Sequence, residues 1–201
     1  MSPTFALLVP VKTLALAKSR LERPATRGAL MRAFALDAIA AAVASPAVAQ
    51  VYVVTDEPGF DADATRLPDG GGGDLNEALR HAERQVRALH PGVGVAAMCA
   101  DLPALATDDL TVALRAGTSH RWFVADAPGT GTTLLVAEPG AALDPHFGVA
   151  SARRHAESGA VPVRADVTTL RADVDTDADL EHAHHLGLGA STTRALVSAH
   201  L

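Results

Sequence analysis

The sequence predicts an α/β protein, a mostly parallel mixed sheet flanked by helices, on three observations. Short apolar runs of strand length alternate with longer stretches of helical periodicity. Hydrophobic residues make up 48% of the chain but aromatics only 3%, so the core must be assembled from Ala, Val and Leu in close-packed layers. No Pro/Ser-rich linker or charge block divides the 201 residues, and a single domain spanning 1–201 is expected.

Each element has its own signal. Phe5 to Val11 is an apolar run that Pro10 ends, so the first loop begins at Val11 or Lys12. Ala29, Ala33, Leu36, Ala40 and Val43 recur at helical spacing and define an amphipathic helix that stops before Pro46. Val51 to Thr55 is a second buried strand, followed by a polar segment containing Gly70 to Gly73. Asp74 is placed to cap a helix from Leu75 to about Leu89, with Glu77 three residues on as in a capping box. Val93 to Ala100 is a third strand, ended by Asp101-Leu102-Pro103, and Thr107 to Arg115 is helical with Asp108 and Asp109 favouring its first turn. Arg121 to Ala125 and Thr132 to Ala137 are strands separated by Pro128-Gly129-Thr130-Gly131. Phe147 to Glu157 is a helix closed by Gly159, Val161 to Arg164 a short strand, and Thr176 with Asp179 a capping box for the helix ending at Leu186.

Charge and cysteine usage narrow the function. A net charge of −6 argues against a general binder of nucleic acid or anionic membranes, which needs a basic face. An anionic substrate would have to be met by local positive groups or by a metal ion. Cys99 is the single cysteine, which excludes an internal disulfide, suits a reducing cytosol and reads as a buried small hydrophobe. No apolar run approaches the ~20 residues of a membrane span and the N-terminus lacks the features of a signal peptide, so a soluble cytoplasmic protein is expected.

In open α/β sheets, ligands bind beyond the carboxyl ends of the strands, and three polar points lie there. The first is the loop holding both lysines of the chain, Lys12 and Lys18, together with Arg20; the other strong bases are all arginines. Compact ammonium groups in one loop suit phosphate oxygens, although two lysines are few for their spacing to carry meaning. The second is Asp101, whose carboxylate could hold Mg²⁺ with substrate phosphates and water, or could be a turn-forming Asp bonded to backbone N–H groups. The third is Gly129-Thr130-Gly131-Thr132-Thr133, which could wrap an anion with backbone N–H groups and hydroxyls or be a plain turn.

Asp173 and Asp175 face the same way if their segment is extended, and one could be a second metal ligand. Asp177 and Asp179 belong instead to the first turn of the next helix. Asp74-Leu75-Asn76-Glu77 gathers polar groups at a helix start and makes Asn76 a candidate cofactor-binding residue. His182, His184 and His185 lie near a helix end, where histidine is ordinarily solvated. No nucleophile elbow is present, so nothing supports a hydrolase triad.

Together these residues resemble the guanylyltransferases of deazaflavin coenzyme F-420 biosynthesis, which join GMP from GTP to phosphoenolpyruvate or 2-phospho-L-lactate. The likeness runs from about Leu8 to Leu186. It rests on Val9-Pro10-Val11-Lys12, Ala17-Lys18-Ser19-Arg20-Leu21, Asp74 to Leu79, Ala100-Asp101-Leu102-Pro103, Gly129 to Leu135, Phe147-Gly148-Val149-Ala150-Ser151 and Asp173-Val174-Asp175-Thr176. It implies a single-domain Rossmann-like nucleotidyltransferase fold, with triphosphate handled by the lysine-bearing loop and Mg²⁺ bound by Asp101; on that basis Lys12, Lys18 and Arg20 are assigned to the triphosphate and Asp175, of the pair Asp173 and Asp175, to the metal beside Asp101. It further implies that Thr133, Gly148 and Ser151 hold the three-carbon acid; backbone N–H groups at a helix start independently suit a carboxylate.

The first loop has no glycine between Val9 and Glu22, whereas sugar and molybdopterin nucleotidyltransferases usually carry a Gly-rich one. A transferase of that kind acting on a sugar phosphate is the alternative, and a nucleotide-binding regulatory module without turnover is a second. The Ala/Arg-rich, lysine-poor composition points to a GC-rich bacterial genome and, within the resemblance, to phosphoenolpyruvate. A homodimer is compatible with the sequence.

Overall fold

The structure, a computed structural model, describes residues 4–11 and 27–198. Its strands are β1 (Phe5–Pro10), β2 (Val48–Val54), β3 (Thr65–Leu67), β4 (Gly94–Met98), β5 (Arg121–Ala125), β6 (Thr132–Ala137) and β7 (Val161–Pro162). Its helices are α1 (Arg27–Val43), α2 (Leu75–Leu89), α3 (Thr107–Arg115), α4 (Ser151–Glu157), α5 (Asp177–Leu186) and α6 (Ala190–Ser198). The strands form one mixed sheet in the order β3-β2-β1-β4-β6-β5-β7, as the alternating pattern predicts. β6 is antiparallel to both of its neighbours while every other pairing is parallel, so β6 alone runs against the rest.

Both faces of the sheet are covered. In β1, Phe5, Leu7 and Val9 join the cluster beneath α1 and α3, whereas Ala6 and Leu8 join the one beneath α2. All five are buried, which explains why β1 reads as a continuous apolar run rather than an alternating one. A third cluster packs Leu30, Met31 and Phe34 of α1 against Val174, Leu180 and Ala183.

The structure corrects several expectations. α1 forms, but Ala29, Ala40 and Val43 of the expected stripe are exposed, and Leu30, Phe34, Ala38 and Ile39 are buried instead. The helix is alanine-rich all round, so periodicity cannot choose its face and the largest side chains decide. Asp74 does cap α2, accepting from the N–H groups of Asn76 and Glu77. Glu77 turns to Arg80 at 2.7 Å, so no reciprocal box bond from Glu77 accompanies that cap.

The helix expected over Phe147 to Glu157 is α4 alone, because Gly148 (φ 110) and Ala150 (φ 55) are left-handed and break it. Strand β3, the 3-10 turn Thr168–Arg171 and α6 have no counterpart in the sequence reading. α6 is fixed by the buried Asp37 carboxylate, which accepts from Ser191 and Thr192 N–H. At the preceding helix the expected box is present in full: Thr176 and Asp179 cap α5 reciprocally.

Candidate active site

Three segments meet at the carboxyl end of β4. Beyond Met98 the Cys99 N–H donates to Thr133 O at 2.8 Å, which carries the β4–β6 pairing to the start of the reversed strand. Two residues on, Asp101 O accepts from Val174 N–H at 3.0 Å. Asp173 and Asp175 flank that buried valine, so both stand in the segment bonded to Asp101. Asp177 and Asp179 lie in the first turn of α5, as expected.

Thr133 has no exposed surface, and its Oγ1 is buried without a hydrogen-bond partner among the described residues. A buried hydroxyl left open costs on the order of 1–3 kcal/mol, so the fold tolerates a defect at this point. The neighbouring Thr132 differs. Its Oγ1 meets His155 Nδ1 at 2.9 Å, while His155 Nε2 accepts from His146 N–H at 2.9 Å. Nε2 is thus the acceptor nitrogen, the proton sits on Nδ1, and the ring donates to Thr132. Burial, followed by repulsion from His146, Arg121 and Arg154, pushes the His155 pKa down to about 4 despite the opposing pull of Asp144.

The Gly129 to Thr133 segment is a turn built around Asp126. Its carboxylate accepts from Thr130 N–H at 2.8 Å and from Gly131 N–H at 2.7 Å. Those two N–H groups are occupied and do not cradle an anion, and a Cβ at Gly131 would collide with the Asp126 carboxylate. Thr130 O accepts from Ala152 N–H at 3.1 Å, tying the turn to α4, where Ser151 is buried and its N–H donates to Gly148 O at 3.1 Å. Thr133, Gly148 and Ser151 therefore lie on segments tied to one another.

The approach to Gly148 is held by side chains rather than by regular structure. Asn76, Arg80, Glu83 and Arg87 recur at intervals of four, three and four along α2 and so share one face. They bond, in order, to the backbone of Phe147, Pro145, Leu143 and Ala141, alternate residues of a segment without regular structure. Glu83, buried, accepts from Leu143 N–H at 2.7 Å and from Arg87 Nε at 2.8 Å. From the other side Arg121 donates to Leu143 O and Asp144 O at 3.0 and 3.1 Å.

Of the residues singled out in sequence, Lys12, Lys18 and Arg20 lie outside the described residues. Asp101 and Asp175 stand on bonded segments. Asn76, expected as a cofactor-binding residue, engages Phe147 with both ends of its amide. Cys99, expected to be buried, is half-buried, its thiol 3.3 Å from Thr132 O. His182, His184 and His185 are exposed. Sequence reasoning did not single out Asp126, Arg154 or His155; Asp126 was findable, since an Asp beside Pro-Gly-Thr-Gly commonly organises such a turn.

The sheet and its match to solved structures define the class. 4-Diphosphocytidyl-2C-methyl-D-erythritol synthase aligns with a TM-score of 0.60 at 14% identity, over 92% of this chain and 99% of that one. A protein of Desulfovibrio desulfuricans G20 assigned as a nucleotide-diphospho-sugar transferase aligns with a TM-score of 0.58 at 19% identity, over 92% and 78%. The fold is that of a nucleotidyltransferase of the nucleotide-diphospho-sugar transferase type.

No protein-family profile matches the chain. The phosphoenolpyruvate guanylyltransferase of Streptomyces scabiei is 49% identical over 95% of both chains, and that of Streptomyces coelicolor 48% identical over 98% of this chain and 97% of its own. The chain belongs to the phosphoenolpyruvate guanylyltransferase family and is an enzyme of the nucleotidyltransferase class.

Proposed function

We propose that the protein transfers GMP from GTP to the phosphate of phosphoenolpyruvate and releases pyrophosphate, within deazaflavin coenzyme F-420 biosynthesis. The observation that carries this reading is near-full-length similarity to relatives named for that reaction. The open hydroxyl of Thr133, on segments tied to Gly148 and Ser151, supports a polar ligand there.

In the reaction a phosphate oxygen of the acid bonds to the α-phosphorus of GTP as the bond to the β-phosphate oxygen breaks. The nucleophile is already anionic at neutral pH, so no general base is needed. His155 is consistent with that: both ring nitrogens are bonded within the protein, and its lowered pKa keeps it neutral. What the chain must supply is alignment and charge neutralisation.

We assign Lys12, Lys18 and Arg20 to the triphosphate and Thr133, Gly148 and Ser151 to the carboxylate of the acid. Asp101 and Asp175 fit Mg²⁺, a hard cation that accepts one or two carboxylates and completes its shell with phosphates and water. Bound there, Mg²⁺ would offset the charge of two ligands that repel each other.

Mass spectrometry of incubations pairing each nucleoside triphosphate with phosphoenolpyruvate, 2-phospho-L-lactate, 3-phosphoglycerate or a sugar phosphate tests the reading. A guanylylated phosphoenolpyruvate and pyrophosphate as dominant products are expected. A guanylylated 2-phospho-L-lactate as dominant product would move the acid, and a nucleotide sugar would reject the proposal.

A further inference from the structure

The peptide joining Phe147 to Gly148 is gripped on one side only. Phe147 O accepts from Asn76 Nδ2 at 3.2 Å and from Arg154 Nη2 at 2.9 Å, while Phe147 N–H donates to Asn76 Oδ1 at 2.7 Å. The neighbouring backbone groups are taken as well: Pro145 O by Arg80 and His146 N–H by His155. Gly148 N–H, by contrast, has no protein acceptor among the described residues.

A trans peptide is planar, with its C=O and N–H pointing in opposite directions, so fixing Phe147 O fixes where Gly148 N–H points. The other local bond on this glycine, from Ser151 N–H to Gly148 O, lies on the following peptide, and glycine at φ 110 has wide freedom to turn the one before it. Arg154 has no other side-chain bond among the described residues, and its Nε is buried without a partner. Phe147 O is thus the one hydrogen-bond partner of the guanidinium among the described residues. A cation on the oxygen also polarises the peptide and makes its N–H the better donor. A Cβ at Gly148 would lie 3.2 Å from Arg154 Nη2, so the arginine packs closely against the glycine it orients.

We propose that Arg154 and Asn76 are positioning residues that touch no substrate and act through the Phe147–Gly148 peptide, aiming Gly148 N–H at the carboxylate of the phospho-acid. The inference rests on the acid-binding reading above and deepens it. Asn76, expected as a cofactor-binding residue, thereby serves the acid.

The test is steady-state kinetics of the full-length protein and of Arg154→Met, Arg154→Lys and Asn76→Asp. The aspartate keeps an acceptor for Phe147 N–H but sets a carboxylate against Phe147 O. Met and Asp should each raise KM for phosphoenolpyruvate roughly tenfold, the order expected for losing a charge-assisted hydrogen bond. KM for GTP and kcat should stay within about threefold, and Arg154→Lys should recover most of the loss. KM values for both substrates rising together, or a fall in melting temperature with neither KM changed, would assign a merely structural role and overturn the proposal.

Crystal structures of the parent and of Arg154→Met add a readout independent of the acid. A rotated Phe147–Gly148 peptide in the variant supports positioning, and an unmoved one overturns it. If the parent forms no product from phosphoenolpyruvate, the substrate reading fails alone and the peptide orientation decides the positioning.

Discussion

Thr133 is the residue at which stability and binding pull apart. Its hydroxyl is fully buried and makes no bond among the described residues, so the free protein carries the desolvation cost without compensation. Thr133→Val removes that hydroxyl at nearly constant shape. The variant should be as stable as the parent or more stable by up to about 1–2 kcal/mol, while KM for phosphoenolpyruvate rises. Chemical denaturation alongside kinetics checks both halves, and a destabilised variant with unchanged KM would make the hydroxyl structural. Similar physics explains what the sequence made legible here. Asp101 could be picked out as a carboxylate at the end of an apolar strand, whereas Thr133 itself was reached through the family resemblance. The bonds of Asn76 to Phe147 were not legible, because its type and place, early in a helix, are the same whether its amide meets a cofactor or a backbone seventy-one residues away.

Among the elements, α4 is the one whose position matters most, and His155 fastens it to both β6 and the 141–147 segment. The histidine is neutral when folded, with its pKa lowered from 6.5 to about 4. Unfolding frees it to take up a proton below about pH 6.5. Its contribution to stability is therefore complete above about pH 6.5 and is lost as pH falls toward 4, at roughly 1.4 kcal/mol per pH unit. Denaturation of the parent and of His155→Gln between pH 7.5 and 4.5 should show the stability gap narrowing with acid, and a gap independent of pH would deny that the ring is held neutral. Elements marked by local chemistry, such as α2 with its Asp74 cap and α5 with its Thr176 box, were legible in sequence. α6 was not. Its start is fixed by Asp37, more than a hundred and fifty residues earlier, and no local pattern records a cap supplied from another helix.

For the whole molecule, the decisive contrast is between a net charge of −6 and a reaction that joins two anions. Local neutralisation must do what the global field opposes, and the protein's own share of a cation site is small. Among the described residues no group of three or more His, Cys, Asp or Glu side chains gathers as a metal cage. Asp101 with one neighbouring carboxylate would hold Mg²⁺ only weakly until a triphosphate supplies further oxygens. Metal and nucleotide should therefore bind as one unit. Thermal denaturation checks this: Mg²⁺ alone should raise the melting temperature by less than about 1 °C, whereas Mg²⁺ with GTP at a hundredfold excess over Kd should raise it by roughly 5 °C or more. Asp101→Asn should lose the Mg²⁺-dependent part of that rise, and chelation should abolish turnover while leaving the melting temperature of the free protein unchanged. A full shift from Mg²⁺ without GTP would mean a site complete before the nucleotide arrives, and a parent-like shift in Asp101→Asn would remove that carboxylate from it.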